Sequence, residues 1–362
     1  MIGGRTPLAS CIMPTRDRRA FVAQAVEYFA RQTYPSRELI VVDDGEDAVG
    51  DLVRDVASAR YVRLDQPRSI GAKRNLAVHL ARGDIIVHWD DDDWYGCDRL
   101  RHQVEPLSRG AAQVSGLKTG CMLDLLEGRY WSCRADLHAR LFYADLHGGT
   151  IAYLKSLCRV ARFPDSSLAE DAAFLRALAG RATIASLPNA DTFVYVRHGA
   201  NAWEFVCGRA VDAGAWTEMA APSCVAADAA FYRRMGAALA SDSTSVKRYG
   251  DACRRAGAHE EALRYYDRAL ELDRENVWAW FDRGLSLAAL GAYDTALEAT
   301  LEADRLLHPQ DDNRTWLHQE LGRLYLRLER TGEARRQFEA AIRHWPGNAG
   351  ARQALGRLGG AA

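Results

Sequence analysis

The sequence predicts two parts of different class, a mostly parallel α/β sheet over its first two thirds and an all-helical repeat array after it. Short apolar runs alternate with helical patterns from residue 8 to residue 90, the mark of β-α units feeding a parallel sheet. Beyond residue 242, Gly and Ala recur at a fixed interval of 34 residues. The length of 362 residues, at 48% hydrophobic and 26% charged, is an ordinary globular composition with room for two domains, and it excludes disorder.

The first part reads as strands at residues 8–13, 38–43, 59–64 and 84–89, with helices at 19–32, 47–56 and 70–81 between them. The second and fourth apolar runs are continuous enough to be buried on both faces. Ligands of such sheets bind beyond the carboxyl ends of the strands, so the residues just after each run are where chemistry is expected. This domain is placed at 1–225, with a connecting segment at 226–242 and the repeats at 243–362.

In the repeats, Gly250, Gly257, Ala262 and Ala269 return as Gly284, Gly291, Ala296 and Ala303. A further unit keeps the spacing with Gly322, Ala334 and Ala341 after 38 residues, so the extra residues belong in the turn near 308–315. Two antiparallel helices approach closely only where side chains shrink to Gly or Ala, while Tyr249, Tyr266, Trp280 and Phe338 fill the space between. Pro309 and Pro346 fall where second helices end. The pattern resembles three tetratricopeptide repeats over 243–348 with a capping helix at 349–358. Arg274 departs from it where a proline is usual, and Glu329 stands in place of a mid-turn glycine. The resemblance implies a helical solenoid that binds a protein or peptide, or pairs with a second copy in a homodimer.

The net charge of −1 divides into 29 basic and 30 acidic residues up to residue 242 and 18 of each after it. Neither part has the basic excess that phosphate-backbone binding needs, so nucleic acid is not an expected partner. There is no run of 18 apolar residues and the first seven residues are short and polar, so neither a transmembrane segment nor a signal peptide is expected and the cytoplasm is the expected location. The eight cysteines form no CxxC pair and read as reduced.

Chemistry gathers at three predicted strand ends: Pro14-Thr15-Arg16-Asp17-Arg18, Asp43-Asp44-Gly45, and Asp90-Asp91-Asp92-Asp93-Trp94. Four consecutive aspartates after a buried strand repel one another unless cations compensate them. Hard oxygen donors of this kind suit Mg²⁺ or Mn²⁺, with substrate phosphates completing the shell.

The ordered set Gln32-Thr33-Tyr34-Pro35, Glu38 to Gly45, Gly71-Ala72-Lys73-Arg74-Asn75, Gly83-Asp84 and Asp90 to Asp93 resembles the family 2 glycosyltransferases of GT-A fold. The resemblance implies an inverting, metal-dependent transfer of a sugar from a nucleoside diphosphate, most often a UDP-sugar. It places Pro14, Thr15 and Arg16 around the nucleotide, Asp44 on the base, and Lys73 or Arg74 on the base or diphosphate. Asp90 and Asp92 match the outer positions of the Asp-x-Asp motif, on the ribose side and on the metal respectively. Asp91 to Asp93 also fits that pattern, and Trp89 favours the first register because a bulky apolar residue usually precedes it. Downstream, Glu170-Asp171 matches the family's acid pair at a helix start, with Asp171 in the position of the general base.

Gly148 and Gly149 fall where relatives bring backbone close to the donor sugar. His198 is a candidate third metal ligand and Arg197 a candidate for the diphosphate, whereas His79, His88 and His102 read as surface or packing residues and Trp131 as core. Joined to tetratricopeptide repeats, the architecture favours a peptide or protein acceptor. A polysaccharide, a lipid-linked sugar or a small molecule competes with it, as does a retired enzyme serving as a scaffold for the repeats. A nucleotidyltransferase shares the sheet and carboxylates but calls for a glycine-rich basic loop after the first strand, which residues 14–18 lack.

Overall fold

A computed structural model describes residues 6–203, 205–209 and 212–359, so the outermost ends of both predicted domains, at 1–5 and 360–362, lie outside the described residues. Twelve strands occur among them: β1 (Ala9–Thr15), β2 (Arg37–Asp43), β3 (Ala59–Arg63), β4 (Ile85–His88), β5 (Trp94–Tyr95), β6 (Val114–Leu117), β7 (Met122–Asp124), β8 (Arg129–Cys133), β9 (Ala152–Leu154), β10 (Ile184–Leu187), β11 (Phe193–Arg197) and β12 (Trp216–Met219). The helices of this part are α1 (Arg19–Ala30), α2 (Gly50–Val53), α3 (Ile70–Leu80), α4 (Arg99–Ser108), α5 (Ala135–Leu141), α6 (Glu170–Leu178) and α7 (Ala229–Ala240).

The described residues divide into two compact units. The first runs through Arg197 and takes in Asn201–Trp203 and Cys207–Arg233; the second takes in His198–Ala200, Phe205, Val206 and everything from Arg234. The division therefore falls inside α7, and residues 198–200 leave the sheet domain in which the sequence reading had placed them.

The first unit is built on a seven-stranded sheet of order β10-β6-β9-β4-β1-β2-β3. Every pairing is parallel except the two made by β9, so the mostly parallel α/β expectation holds. The four predicted strands are β1 to β4, each within two residues of its expected bounds at either end. Side chains alternate between faces, and both parities are buried. Ile12, Ile40, Val42 and Ile86 join Ala77 and Val78 of α3 and Phe174 and Leu175 of α6 in one core, while Cys11, Met13, Leu39, Val41 and Val87 are buried as well.

The helix expected at 47–56 shrinks to the single turn of α2, and side chains fix the turn that leads into it. Asp43 accepts from Gly45 N (2.8 Å) and Val49 N (3.2 Å), and Asp17 accepts from Asp47 N (3.1 Å). A second sheet, β12-β8-β7-β11-β5, was not visible in the sequence, since its strands are two to five residues long. It matters for the site, because β5 follows the four aspartates directly and pairs with β11.

The second unit holds α8 (Ser243–Arg255), α9 (His259–Leu272), α10 (Val277–Ala289), α11 (Tyr293–Leu306), α12 (Arg314–Arg327), α13 (Thr331–His344) and α14 (Ala349–Gly359). The recurring glycines are where the helices meet. A Cβ on Gly250 would stand 2.7 Å from the Tyr266 ring, one on Gly284 2.5 Å from Thr300 Oγ1, and one on Gly322 2.6 Å from the Phe338 ring. The longer spacing of the last repeat is taken up between Leu306 and Arg314, as expected. Glu329 adopts φ 60°, the left-handed turn that Gly257 (77°) and Gly291 (84°) make in the other repeats, so the turn persists without its glycine. No helix among the described residues is long and apolar enough to cross a membrane.

Two substitutions in the third repeat should act in opposite directions. Glu329→Gly removes a left-handed non-glycine residue and should raise stability by about 1 kcal/mol. Gly322→Ala drives a methyl into Phe338 and should cost about 1–3 kcal/mol. Urea denaturation followed by circular dichroism checks both signs.

Glu38 ties together the chain entering β1, β2 and β4. Its carboxylate accepts from Ser10 Oγ (2.7 Å) and Arg82 N (2.7 Å) and pairs with Arg82 Nε (2.8 Å). Burial alone would raise this carboxyl, but the Ser10 and Arg82 donors outweigh it and hold it below 4.5. A lowered folded value means stability that is present above about pH 4.5 and is lost as pH falls through that lowered value. Glu38→Gln should cost roughly 2 kcal/mol at neutral pH and flatten that acid limb, as read from melting temperatures between pH 3 and 7.

Candidate active site

The carboxyl ends of β1 and β4, together with the residues after them, open on a cleft of about 520 Å³. Pro14, Arg18, Arg74, Asp90, Asp91 and Asp92 line one side, and Gly148, Gly149, Glu170 and Asp171 line another, with Tyr195, Asn201 and Trp203 closing it. A larger cavity of about 900 Å³ opens beside Asp84 and Lys155, at the amino end of β4, and holds none of these groups.

Each of the four aspartates has a different setting. Arg74 Nη2 donates to Asp90 Oδ1 (2.8 Å). Thr15 Oγ1 donates to Asp91 Oδ2 (2.6 Å), and Arg18 Nη1 donates both to Asp91 Oδ1 (2.9 Å) and to Asp92 Oδ2 (2.8 Å). Asn201 Nδ2 donates to Asp92 Oδ2 (3.3 Å). Asp93 turns away from the cleft and accepts from Val196 N (2.9 Å), pinning the loop to β11. Asp90, Asp91 and Asp92 thus line the cleft and Asp93 does not.

The glycine pair explains how carboxylates so distant in sequence crowd together. A Cβ on Gly148 would lie 1.2 Å from Asp171 Oδ2, and one on Gly149 would lie 2.5 Å from Asp90 Oδ2. The missing side chains are the space these two carboxylates occupy. Arg74 is the cation between them: buried, it reaches Asp90 and lies 3.4 Å from Glu170 Oε1. His88 Nδ1 stands 2.6 Å from Arg74 Nη1 and 2.8 Å from the Gly148 carbonyl, one ring nitrogen that accepts from the arginine in one tautomer and donates to the carbonyl in the other. Directly before Glu170, Ala169 takes φ 57°, a left-handed strain stored at the start of α6.

The electrostatics follow from burial. Desolvation, with Asp92, Glu170 and Asp91 adding to it against the opposing pull of Arg74, pushes the Asp90 carboxyl up to about 7. Burial likewise raises Asp91, Asp93 and Glu170, and holds His88 and His147 well below the ordinary imidazole value, which keeps both neutral. Carboxylates on the cleft are hard donors that fit Mg²⁺ or Mn²⁺. Among the described residues, no three His, Cys, Asp or Glu side chains are grouped closely enough to hold a metal ion. His198 falls in the second unit.

Other predicted residues stand outside the lining of the cleft. Asp44 and Lys73 are buried and pair with each other (2.8 Å), with Asp44 also accepting from Arg68 N (2.6 Å) and Lys73 donating to the Thr15 carbonyl (3.0 Å); neither lines the cleft. Arg16 is exposed and pairs with Asp17 (3.5 Å). Arg197, being buried, must find acceptors inside and donates to Tyr195 Oη (2.7 Å) and the Trp203 carbonyl (2.6 Å). Trp131 packs against Arg129 and Gly208, outside the cleft. Sequence reasoning passed over Arg18, His88 and Asn201. Arg18 sat in a loop already singled out, and a polar residue ending a buried apolar run was a signal for His88. Asn201, 109 residues from the aspartate it touches, offered none.

Residues 10–134 match the glycosyl transferase family 2 model, residues 250–291 a TPR repeat model and residues 315–358 a tetratricopeptide repeat model. The chain therefore carries a family 2 glycosyltransferase domain followed by tetratricopeptide repeats. Among curated relatives, the TPR repeat-containing thioredoxin TTL4 of Arabidopsis thaliana is 42% identical over 102 residues, 28% of this chain and 14% of that protein. The putative colanic acid biosynthesis glycosyl transferase WcaA of Escherichia coli K12 is 34% identical over 99 residues, 26% of this chain and 36% of that one. The chain thus spans well under half the length of these relatives. A solved mannosyltransferase from Pyrobaculum calidifontis, in complex with GDP-Man and Mn²⁺, is 19% identical with a TM-score of 0.44, over 95% of this chain and 89% of that one.

Arg74→Met should expose the cost of the buried acids. Leaving Asp90 and Glu170 without their cation should cost about 3–5 kcal/mol. With Arg74 gone both carboxyls titrate above their unfolded values, so the deficit should shrink as pH falls and they protonate. Glu170→Gln in the same background should recover part of it, and urea midpoints at pH 5 and 8 check each step.

Proposed function

We propose that the N-terminal unit transfers a hexose from a nucleoside diphosphate, a UDP-sugar first among the candidates, to an acceptor nucleophile in one inverting displacement. The observation that carries this reading is the glycine notch, which puts Asp90 and Asp171 on one cleft from opposite ends of the domain. In the displacement, the acceptor oxygen or sulfur bonds to the anomeric carbon as the bond to the diphosphate oxygen breaks, and the acceptor proton passes to Asp171. Glu170, held by Arg74, keeps the start of α6 in place behind that base. Asp92, with Asp90 beside it, would hold Mn²⁺ or Mg²⁺, whose charge would offset that of the departing diphosphate. Pro14 and Thr15 line the nucleotide end, with Asp91 fixed by Thr15 and Arg18.

For the acceptor we favour a peptide or protein side chain recruited by the repeats, because such modules bind polypeptides. A polysaccharide acceptor is the second reading, supported by the naming of the WcaA relative for colanic acid biosynthesis.

Hydrolysis of UDP-glucose and a panel of other nucleotide sugars with Mn²⁺ tests the enzyme reading. Asp92→Ala should abolish it, and a wild-type protein that neither binds nor hydrolyses any donor would leave the unit a scaffold. Asp171→Asn should lower transfer about 10²–10⁴-fold. Gly148→Ala, which displaces the Asp171 carboxylate by about an ångström or more, should cost roughly 10²-fold with folding retained. For the acceptor, mass spectrometry of peptides and of oligosaccharides with and without residues 243–362 separates the readings. Peptide transfer lost while donor hydrolysis persists favours recruitment by the repeats, and unchanged transfer contradicts it.

A further inference from the structure

Arg18 and Arg74 both touch carboxylates of the cleft, and they are held differently. Arg74 is 4% exposed and engaged by Asp90, Glu170 and His88 together. Arg18 is 27% exposed at its side chain, stands on the loop three residues after β1, and lines the cleft. A single nitrogen, Nη1, bridges Asp91 Oδ1 (2.9 Å) and Asp92 Oδ2 (2.8 Å). That is the place a cation takes between neighbouring carboxylates.

We propose that Arg18 is the resident counter-cation of the Asp91–Asp92 pair, which a divalent ion must displace from Asp92, and that Arg18 thereby sets the affinity of the site for metal. The proposal rests on the metal reading given above. A divalent ion and a guanidinium cannot both sit at contact distance on one carboxylate oxygen without strong repulsion. Arg18 has solvent to move into, whereas Arg74 does not. Both aspartates keep a neutral partner when it leaves, since Thr15 Oγ1 still donates to Asp91 (2.6 Å) and Asn201 Nδ2 to Asp92 (3.3 Å). The loop is therefore held in shape while its counter-charge is exchanged, and the site stays folded without metal. Arg18 is in this sense a positioning residue acting through Asp92.

The test is titration of the purified full chain with Mn²⁺ alone, by calorimetry and by the electron paramagnetic resonance signal of unbound Mn²⁺. Arg18→Gln should bind Mn²⁺ at least tenfold more tightly than wild type. Arg18→Lys, which keeps the charge, should stay within about threefold of wild type. In EDTA, Arg18→Gln should melt below wild type and recover when Mn²⁺ is added. Equal or weaker binding by a folded Arg18→Gln protein overturns the proposal, as does a tenfold gain by Arg18→Lys. Should the glutamine variant not fold, the wild-type protein still decides: on adding Mg²⁺ the Arg18 Nη resonances should shift and lose their hindered rotation, and resonances that do not move overturn the proposal. A wild-type protein that binds no Mn²⁺, with or without UDP, overturns the metal reading itself. Binding that Asp92→Asn weakens but Arg18→Gln leaves unchanged overturns the inference alone.

Discussion

The N-terminal unit is organised around an excess of buried negative charge at the ends of its central strands. Asp90 to Asp93 leave β4 in succession, and Glu170 and Asp171 arrive from α6, while Arg18 and Arg74 are the cations that touch the cluster within the cleft. Isolated buried carboxylates are costly, so their neighbours are committed to compensation. That demand accounts for the bridging Arg18, for Arg74 shared between β4 and α6, and for the turning of Asp93 onto the β11 backbone. It also accounts for the upward push on Asp90, whose carboxyl holds a proton more readily because burial leaves its charge incompletely compensated.

Space is the second constraint. Carboxylates from residues 90 and 171 share a cleft because residues 148 and 149 have no side chains, and His88 Nδ1 lies within hydrogen-bond distance of both the Gly148 carbonyl and the same arginine. Charge and shape thus converge on one small set of contacts. The β5–β11 pairing, outside the main sheet, keeps the aspartate loop from relaxing outward.

Much of this was legible in the sequence where it depends on local pattern. The strand runs, the alternation of strand and helix that makes the core parallel, the aspartate loop, the acid pair opening α6 and the 34-residue repeat are all short-range or periodic signals. What was hidden depends on contacts across long separations. Nothing in the segment around Gly148 says that its glycines house carboxylates, and nothing in Arg197 says that burial will turn it onto Tyr195 and Trp203. The second sheet escaped because strands of two to five residues carry too little alternation to be read. The helix expected at 47–56 is reduced to one turn, preceded by a loop whose backbone donors Asp43 and Asp17 hold from other parts of the chain. In the third repeat the opposite occurred, since Glu329 keeps the left-handed turn against its own preference because the packing on either side dictates it.

If charge deficit is what the cleft is built around, a divalent cation and a nucleoside diphosphate should each improve the binding of the other. Calorimetric titration of UDP and GDP into the full chain, in saturating Mn²⁺ and again in EDTA, measures that coupling directly. The expected result is binding in Mn²⁺ that weakens by at least tenfold in EDTA, about 1.4 kcal/mol of coupling. Equal affinity in the two conditions, or binding to neither nucleotide, would contradict it.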